Sequence, residues 1–416
     1  MSTPASKSSN RILVALSLIG PGLFLLGYNI GTGSITTMAK AGAEFGMSLF
    51  WALLLSCIFS YVLMVAYGQV TLVSGKTALY NFRINFRYGS VIAIYIMIAL
   101  VIGELLALMG IMGIAVDLLQ EAFRILGAEM AISKITITVV MDVLLLLLLW
   151  FGNYQVFEKV LTFFVVIMVV CFVGAFVMLK PNIKEIVLGL KPSIPEQDGS
   201  LGLIAAMAGT TCSAALFVVR SIVVSEKGWG PNDLKNEKRD AFVSSFIMLF
   251  LSAIIMAVAA GTLHIMGLKL NTTIEMVQLF EPLGSKAASL ILILGILGAA
   301  LSTVFPIILI APWLICDYTQ RPKDMKSNLF RIPAVISLAI GTSFLFIDRN
   351  PPIIMIFSQA FQALILPAVT LPILVLINRK SVMGIHSAKP AMNFGIVCVF
   401  LFGLLTSYFA IAELLQ

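Results

Sequence analysis

The polar chemistry of this chain is concentrated in two short stretches. GYNIGTGSITT (Gly27 to Thr37) and AGTTCSAA (Ala208 to Ala215) each set glycine and small hydroxyls inside a long apolar run. Such residues are weak helix formers, so both runs are expected to break there and free backbone N–H and C=O groups for a ligand. The candidate substrate-binding residues are Asn29, Gly31, Thr32, Gly33 and Ser34 in the first stretch. In the second they are Thr210, Thr211 and Ser213, with Cys212 between them. Three chemistries are open to such a site. Glycine-flanked N–H groups at a helix start favour an anion. Carbonyl and hydroxyl oxygens suit a magnesium ion that keeps several of its waters. A neutral polar solute would use the hydroxyls alone.

Two charged residues fall deep inside apolar runs, Glu104 in LVIGELLALMG and Arg220 in LFVVRSIVV. A charge at the bilayer centre costs about 2.5–3.5 kcal/mol on insertion scales, which marks such residues as functional candidates. Glu104 is the candidate proton carrier. Arg220 does not titrate; it is expected either to neutralise Glu104 or to attract an anionic substrate, the first being the favoured reading. Asp117 and Asp142 are expected near the membrane interface, and Lys40 is expected to snorkel to the outer surface. His264 reads as a packing residue, and so do the twenty methionines.

Other chemistries find no support. Cys57, Cys171, Cys212, Cys316 and Cys398 are scattered without a CxxC pair, and His264 and His386 are the only histidines. Neither a disulfide framework nor a zinc or haem site is expected, no cofactor is assigned, and no metal ligand is named. No nucleophile–base constellation or phosphate-binding loop appears, so an enzyme is not expected.

The elements that must position these residues follow from composition. Of 416 residues, 60% are apolar and 11% charged, with a mean hydropathy of +1.05; soluble domains run at about 45–50% and about 25%. The chain is therefore a polytopic membrane protein whose partners are the lipid bilayer and a small solute or ion, with no nucleic acid and no obligatory protein partner. Segments long enough to span, at about 20 apolar residues each, fall at 12–43, 47–73, 90–119, 132–152, 156–179, 201–225, 240–267, 285–316, 329–347, 352–378 and 391–413. Residues 1–11 form a polar N-terminal tail, 12–416 a single transporter domain, and 272–282 a short interfacial helix. With the N-terminus inside, the cytoplasmic segments hold 17 of the 27 Lys and Arg residues and the opposite side 8. That bias places the N-terminus in the cytoplasm and the C-terminus outside, in the inner (plasma) membrane. Interrupted spans at matching positions in two halves point to an inverted-repeat transporter. Here spans 1 and 6 are the broken ones, the repeats cover about 12–179 and 201–378, and the eleventh span is appended.

Longer motifs add a resemblance. GPGLFLLGY, AGAEFGMSLFWALLLS (Ala41 to Ser56), SGKTAL (Ser74 to Leu79), LGSKAASLILILGILGAALST and FSQAFQALILPAVTLPILVLINRKSVMG (Phe357 to Gly384) resemble the Nramp family of metal-ion transporters over nearly the whole chain. The resemblance implies an all-α, LeuT-type 5+5 fold with alternating access around a central site, and it adds Gln359 to the substrate-binding candidates. It also implies that Glu104 stands where the family has an acidic residue linked to proton movement, and Arg220 where it has a second histidine. The ligand motifs differ. Where the family carries Asp-Pro-Gly-Asn this chain has Gly31-Thr32-Gly33-Ser34, and where it carries Met-Pro-His the chain has Ser213-Ala214-Ala215. A thioether helps a site prefer transition metals, and a carboxylate balances a divalent ion. With both absent from these positions, the expectation is a secondary-active transporter with a remodelled site, distinct from a typical manganese or iron transporter. A hydrated divalent cation, a small organic solute, and a channel or receptor on the same scaffold remain alternatives.

Overall fold

A computed structural model of the chain describes residues 31–127, 132–151, 166, 169–179, 183–279, 286–321, 324 and 326–415. Segment 12–30, including Asn29, and half of the fifth expected span lie outside the described residues. Among the described residues every regular element is helical. In chain order the principal helices are α1 (Thr32–Phe45), α2 (Phe50–Ser74), α3 (Ala78–Asn85), α4 (Gly89–Ile125), α5 (Lys134–Phe151) and α6 (Val169–Leu179). They continue with α7 (Ser200–Thr211), α8 (Ala214–Glu226), α9 (Leu234–Ala259), α10 (Thr273–Gln278), α11 (Lys286–Thr319), α12 (Asn328–Thr342), α13 (Pro351–Asn378) and α14 (Pro390–Leu414).

Among the described residues eight helical segments are long and apolar enough to cross a membrane, and each coincides with a span read from the sequence. The interruption expected in the sixth span is present. Helix α7 closes at Thr211, where the Cys212 N–H donates to the Ala208 carbonyl at 2.7 Å, and Ser213 is extended (φ −64°, ψ 128°) before α8 starts at Ala214. At about 1.5 Å per residue neither half crosses a bilayer alone. The most apolar window of this broken span is wholly buried in protein, as irregular backbone at membrane depth requires. The other break coincides with the limit of the described residues: α1 begins at Thr32, and Gly31 before it is extended.

Packing distributes the two halves of the broken span differently. Helix α7 lies against α13 and α14 and also touches α1, whereas α8 packs mainly on α2; α4 is covered by α11 and α13. The α7–α13 contact depends on one glycine. A Cβ at Gly209 would lie 1.8 Å from the Gln359 carbonyl oxygen, so the two backbones meet where no larger residue fits. The interfacial helix is shorter than 272–282. It starts with a capping box in which Thr272 accepts from the Glu275 N–H and Glu275 accepts from the Thr272 N–H at 2.7 Å.

Three charged residues have partners that the sequence did not reveal. Lys40 does not snorkel freely but is held by Glu44 at 2.5 Å, Asn271 at 2.8 Å and the Leu270 carbonyl at 3.0 Å. It thereby ties α1 to the segment before α10, because an ammonium this enclosed needs acceptors in place of water. Asp142 accepts from Thr342 at 2.8 Å, joining α5 to α12. Asp117 is bound by Lys134 at 2.6 Å and accepts from Thr273 at 3.0 Å.

Substituting Gly209→Ala is expected to lower the melting temperature of the purified protein, since overpacking costs about 1–3 kcal/mol. Gly174→Ala, where an added Cβ meets nothing within 4 Å, is the control and is expected to leave it unchanged or slightly higher. A thermal unfolding scan of both variants checks the contrast.

Candidate functional site

Five helices converge on a cavity of about 30 Å³, room for an ion or one to two waters. The start of α1 contributes Gly31, Gly33 and Ser34, the broken span contributes Thr210 and Ser213, and α13 contributes Gln359. Six of the nine residues proposed from sequence as substrate-binding, together with Glu104, thus line one space. Asn29 lies outside the described residues. Thr32 and Thr211 are buried but absent from the wall, and their hydroxyls have no hydrogen-bond partner among the described residues.

The wall is tied together by hydrogen bonds between helices. Ser34 Oγ and Thr210 Oγ1 lie 3.0 Å apart, joining the two candidate break regions directly. The Ser60 hydroxyl of α2 donates to the Thr211 carbonyl at 2.5 Å, taking one of the acceptors freed where α7 ends. On the opposite side Ser213 Oγ donates to Gln362 Oε1 at 2.5 Å, and Gln362 Nε2 donates to Glu104 Oε1 at 3.1 Å. The amide relays orientation in one sense, from hydroxyl to carboxylate. Side chains of α11 and α13 fill the space beside both glycines at the start of α1: a Cβ at Gly31 would stand 2.3 Å from Thr303 Oγ1, and one at Gly33 would stand 2.5 Å from Met355 Cε.

Sequence reading missed Gln362, Thr303 and Met355. Their signal is helical spacing. Met355, Gln359 and Gln362 stand at i, i+4 and i+7 on α13, and Glu104, Ala107 and Ile111 at i, i+3 and i+7 on α4. Each set is one face of a helix. Thr303 closes the LGSKAASLILILGILGAALST motif, whose polar end was not treated as part of the site.

Arg220 does not pair with Glu104. Its guanidinium, 0% exposed, donates from Nε to Glu237 Oε1 and from Nη2 to Asp240 Oδ2, each at 2.8 Å. The physical reason is fork geometry. Two carboxylates one turn apart at the start of α9 offer the guanidinium two parallel acceptors, while Glu104 faces the cavity. Neither expected role survives for Arg220: it does not neutralise Glu104, and its charge is already matched. Lys227, in the turn after α8, lies beside this cluster. Burial holds its ammonium below the usual lysine value, against the raising pull of the Asp240 and Glu237 carboxylates.

The cavity therefore offers one carboxylate, one thioether, and neutral hydroxyls and amides. Among the described residues no group of three His, Cys, Asp or Glu side chains gathers to hold a metal.

Comparison with known proteins places this geometry. The family model described as natural resistance-associated macrophage protein-like (Nramp) matches residues 22–413. The chain is similar to the divalent metal cation transporter MntH of Nostoc sp., at 25% identity over 92% of this chain and 87% of that one. Its fold is that of the Eremococcus coleocola manganese transporter, solved with an aromatic bis-isothiourea substituted compound (TM-score 0.71, 17% identity, 100% of this chain and 90% of that chain). It also matches Mhp1, a nucleobase-cation-symport-1 family transporter, in a closed conformation with bromovinylhydantoin bound (TM-score 0.58, 15% identity, 94% and 92% covered). The LeuT-type architecture expected from the sequence is thus the observed one.

Removing the buried guanidinium is expected to be severe. Arg220→Leu takes from the buried Glu237 and Asp240 carboxylates the guanidinium that both bind, at a cost of about 3–5 kcal/mol. Adding Glu237→Gln and Asp240→Asn restores part of the loss, because no uncompensated charge then remains. Melting temperatures of the single and triple variants in detergent test this.

Proposed function

The chain belongs to the natural resistance-associated macrophage protein-like family, and from that premise we propose that it is a proton-coupled secondary-active membrane transporter whose remodelled central site takes a small cation through oxygen ligands. The observation that carries this reading is the wall of the cavity. It holds the Glu104 carboxylate among the oxygens of Ser34, Thr210, Ser213, Thr303, Gln359 and Gln362. These are hard donors, suited to cations of the magnesium type more than to soft transition metals. The remodelling is a loss of charge. Gly31 stands where the family resemblance puts an aspartate, and Glu104 of α4, at a position where the family is also acidic, is the one carboxylate left in the wall.

Charge and size argue against the organic alternatives. A carboxylate substrate would meet Glu104 in the same cavity, and Arg220, which would have attracted it, is engaged by two acids. At about 30 Å³ the cavity holds an ion or water, whereas pockets for organic ligands run to about 300–1,000 Å³. Proton coupling follows from the same carboxylate. Protonation of Glu104 removes the one negative charge facing the substrate, so proton occupancy and cation affinity are linked, and Gln362 holds the carboxyl group in place through the exchange.

A second reading rests on Met355. Its thioether lines the cavity beside Glu104, restoring from α13 the soft donor that Ser213 does not supply, and the similar proteins named above are described as manganese and divalent metal cation transporters. Calorimetry on the purified protein separates the two. The hard-cation reading expects heat with magnesium and little with manganese or cadmium; strong binding of cadmium that is lost in Met355→Leu would establish the second reading instead.

The coupling has its own test in proteoliposomes. Glu104→Gln is expected to abolish the pH dependence of cation uptake while the protein remains folded. Uptake with an unchanged pH profile would remove Glu104 from the proton path.

A further inference from the structure

A second cavity, of about 450 Å³, opens where the ends of α2, α9 and α14 meet, and it shares no lining residue with the central site. Its polar lining is Gln69, Lys238, His386, Ser387 and Lys389, and no carboxylate is among the lining residues. Neither lysine makes an ion pair among the described residues. The turn that carries His386 is pinned by Gln69 Nε2, which donates to the His386 carbonyl at 2.7 Å. Lys389 is also the residue before α14, a helix of 25 residues, so the positive end of that helix dipole adds to the field of the lysines.

Tyr61 and Val62 line the cavity farther along α2. Tyr61 stands about 12 Å along α2 from Gln69, and its ring meets Phe242 edge-on at 6.1 Å. From there Phe242, Phe246 and Phe250 run up one face of α9, 59%, 57% and 51% exposed, with stacked rings 6.3 and 6.5 Å apart. A basic recess thus continues into an aromatic track along the bilayer-facing side of one helix. That sequence of environments matches an amphiphile with an anionic head and an acyl tail. A soluble anion would use the recess and leave the track empty. The basic-residue bias assigns this end of the helices to the cytoplasmic face, where anionic lipid attracts lysine and arginine.

We propose that this cavity binds an anionic phospholipid, its phosphate between Lys238 and Lys389 and an acyl chain along Phe242, Phe246 and Phe250. The test uses the full chain in nanodiscs of phosphatidylcholine, alone or mixed with phosphatidylglycerol. Phosphatidylglycerol raises the melting temperature of the wild type. The double variant Lys238→Gln, Lys389→Gln loses that rise and keeps the melting temperature seen in phosphatidylcholine alone. In native mass spectrometry the same pair weakens phosphatidylglycerol retention on the order of 30-fold, and Phe242→Ala shortens retention of both lipids. Equal stabilisation by the two lipids, a rise that survives in the double variant, or a rise reproduced by inorganic phosphate in detergent overturns the proposal. Should the double variant fail to fold, preferential retention of phosphatidylglycerol by the wild type and its loss in Lys389→Gln alone decide the matter.

Discussion

A helix interrupted at the depth of a bilayer exposes backbone groups that lipid cannot satisfy, and the architecture of this protein is organised around that constraint. The broken span made of α7 and α8 is enclosed on all sides. Ser60 reaches across from α2 to take the Thr211 carbonyl. Gly209 lets the α13 backbone come close enough to exclude anything else from that side. The same enclosure that makes the break tolerable also makes the site, because the groups left inside face a space that neither lipid nor bulk water fills.

Charge is kept apart within this enclosure. Arg220 and its two carboxylates form one buried cluster, and Glu104 stands in another place facing the cavity. Had Arg220 paired with Glu104, the one carboxylate in the cavity lining would have had its charge matched inside the wall. With Arg220 held by α9, the carboxylate keeps an amide partner, Gln362, which donates to its Oε1.

Much of this was legible in the sequence, for physical reasons specific to membranes. Low dielectric forces long apolar runs, so spans could be read by length. Glycine and hydroxyls inside such a run are costly unless used, so GTGS and GTTCS stood out, and Gly31, Gly33, Ser34, Thr210 and Ser213 do line the cavity. What the sequence hid was partnership across helices. Glu237 and Asp240 sit at a polar helix start, where acids look like ordinary interfacial residues; nothing local says that Arg220 turns towards them. Gln362 and Met355 are unremarkable within an apolar helix until Gln359 fixes which face of α13 looks inward. Thr32 shows the converse: a hydroxyl one residue from two cavity-lining glycines points elsewhere, because successive residues on a helix are about 100° apart.

The break also divides mechanical from electrostatic roles. Helix α7 is fastened to α13 by backbone contact at Gly209, while α8 is fastened to α9 by the Arg220 cluster. Cys212 and Ser213 are the non-helical residues between them, so any displacement of α8 relative to α7 is absorbed there. Ser213 is also the residue that donates to Gln362. A change of backbone angle at this hinge therefore acts on the hydrogen bond that orients Gln362, and through it on the carboxylate of Glu104. A neutral hydrogen bond contributes about 0.5–1.5 kcal/mol net, comparable with the few kcal/mol that separate alternative conformations of a protein. Breaking it is thus neither negligible nor prohibitive, and a single hydroxyl at the hinge ties the geometry of the break to the amide that orients Glu104.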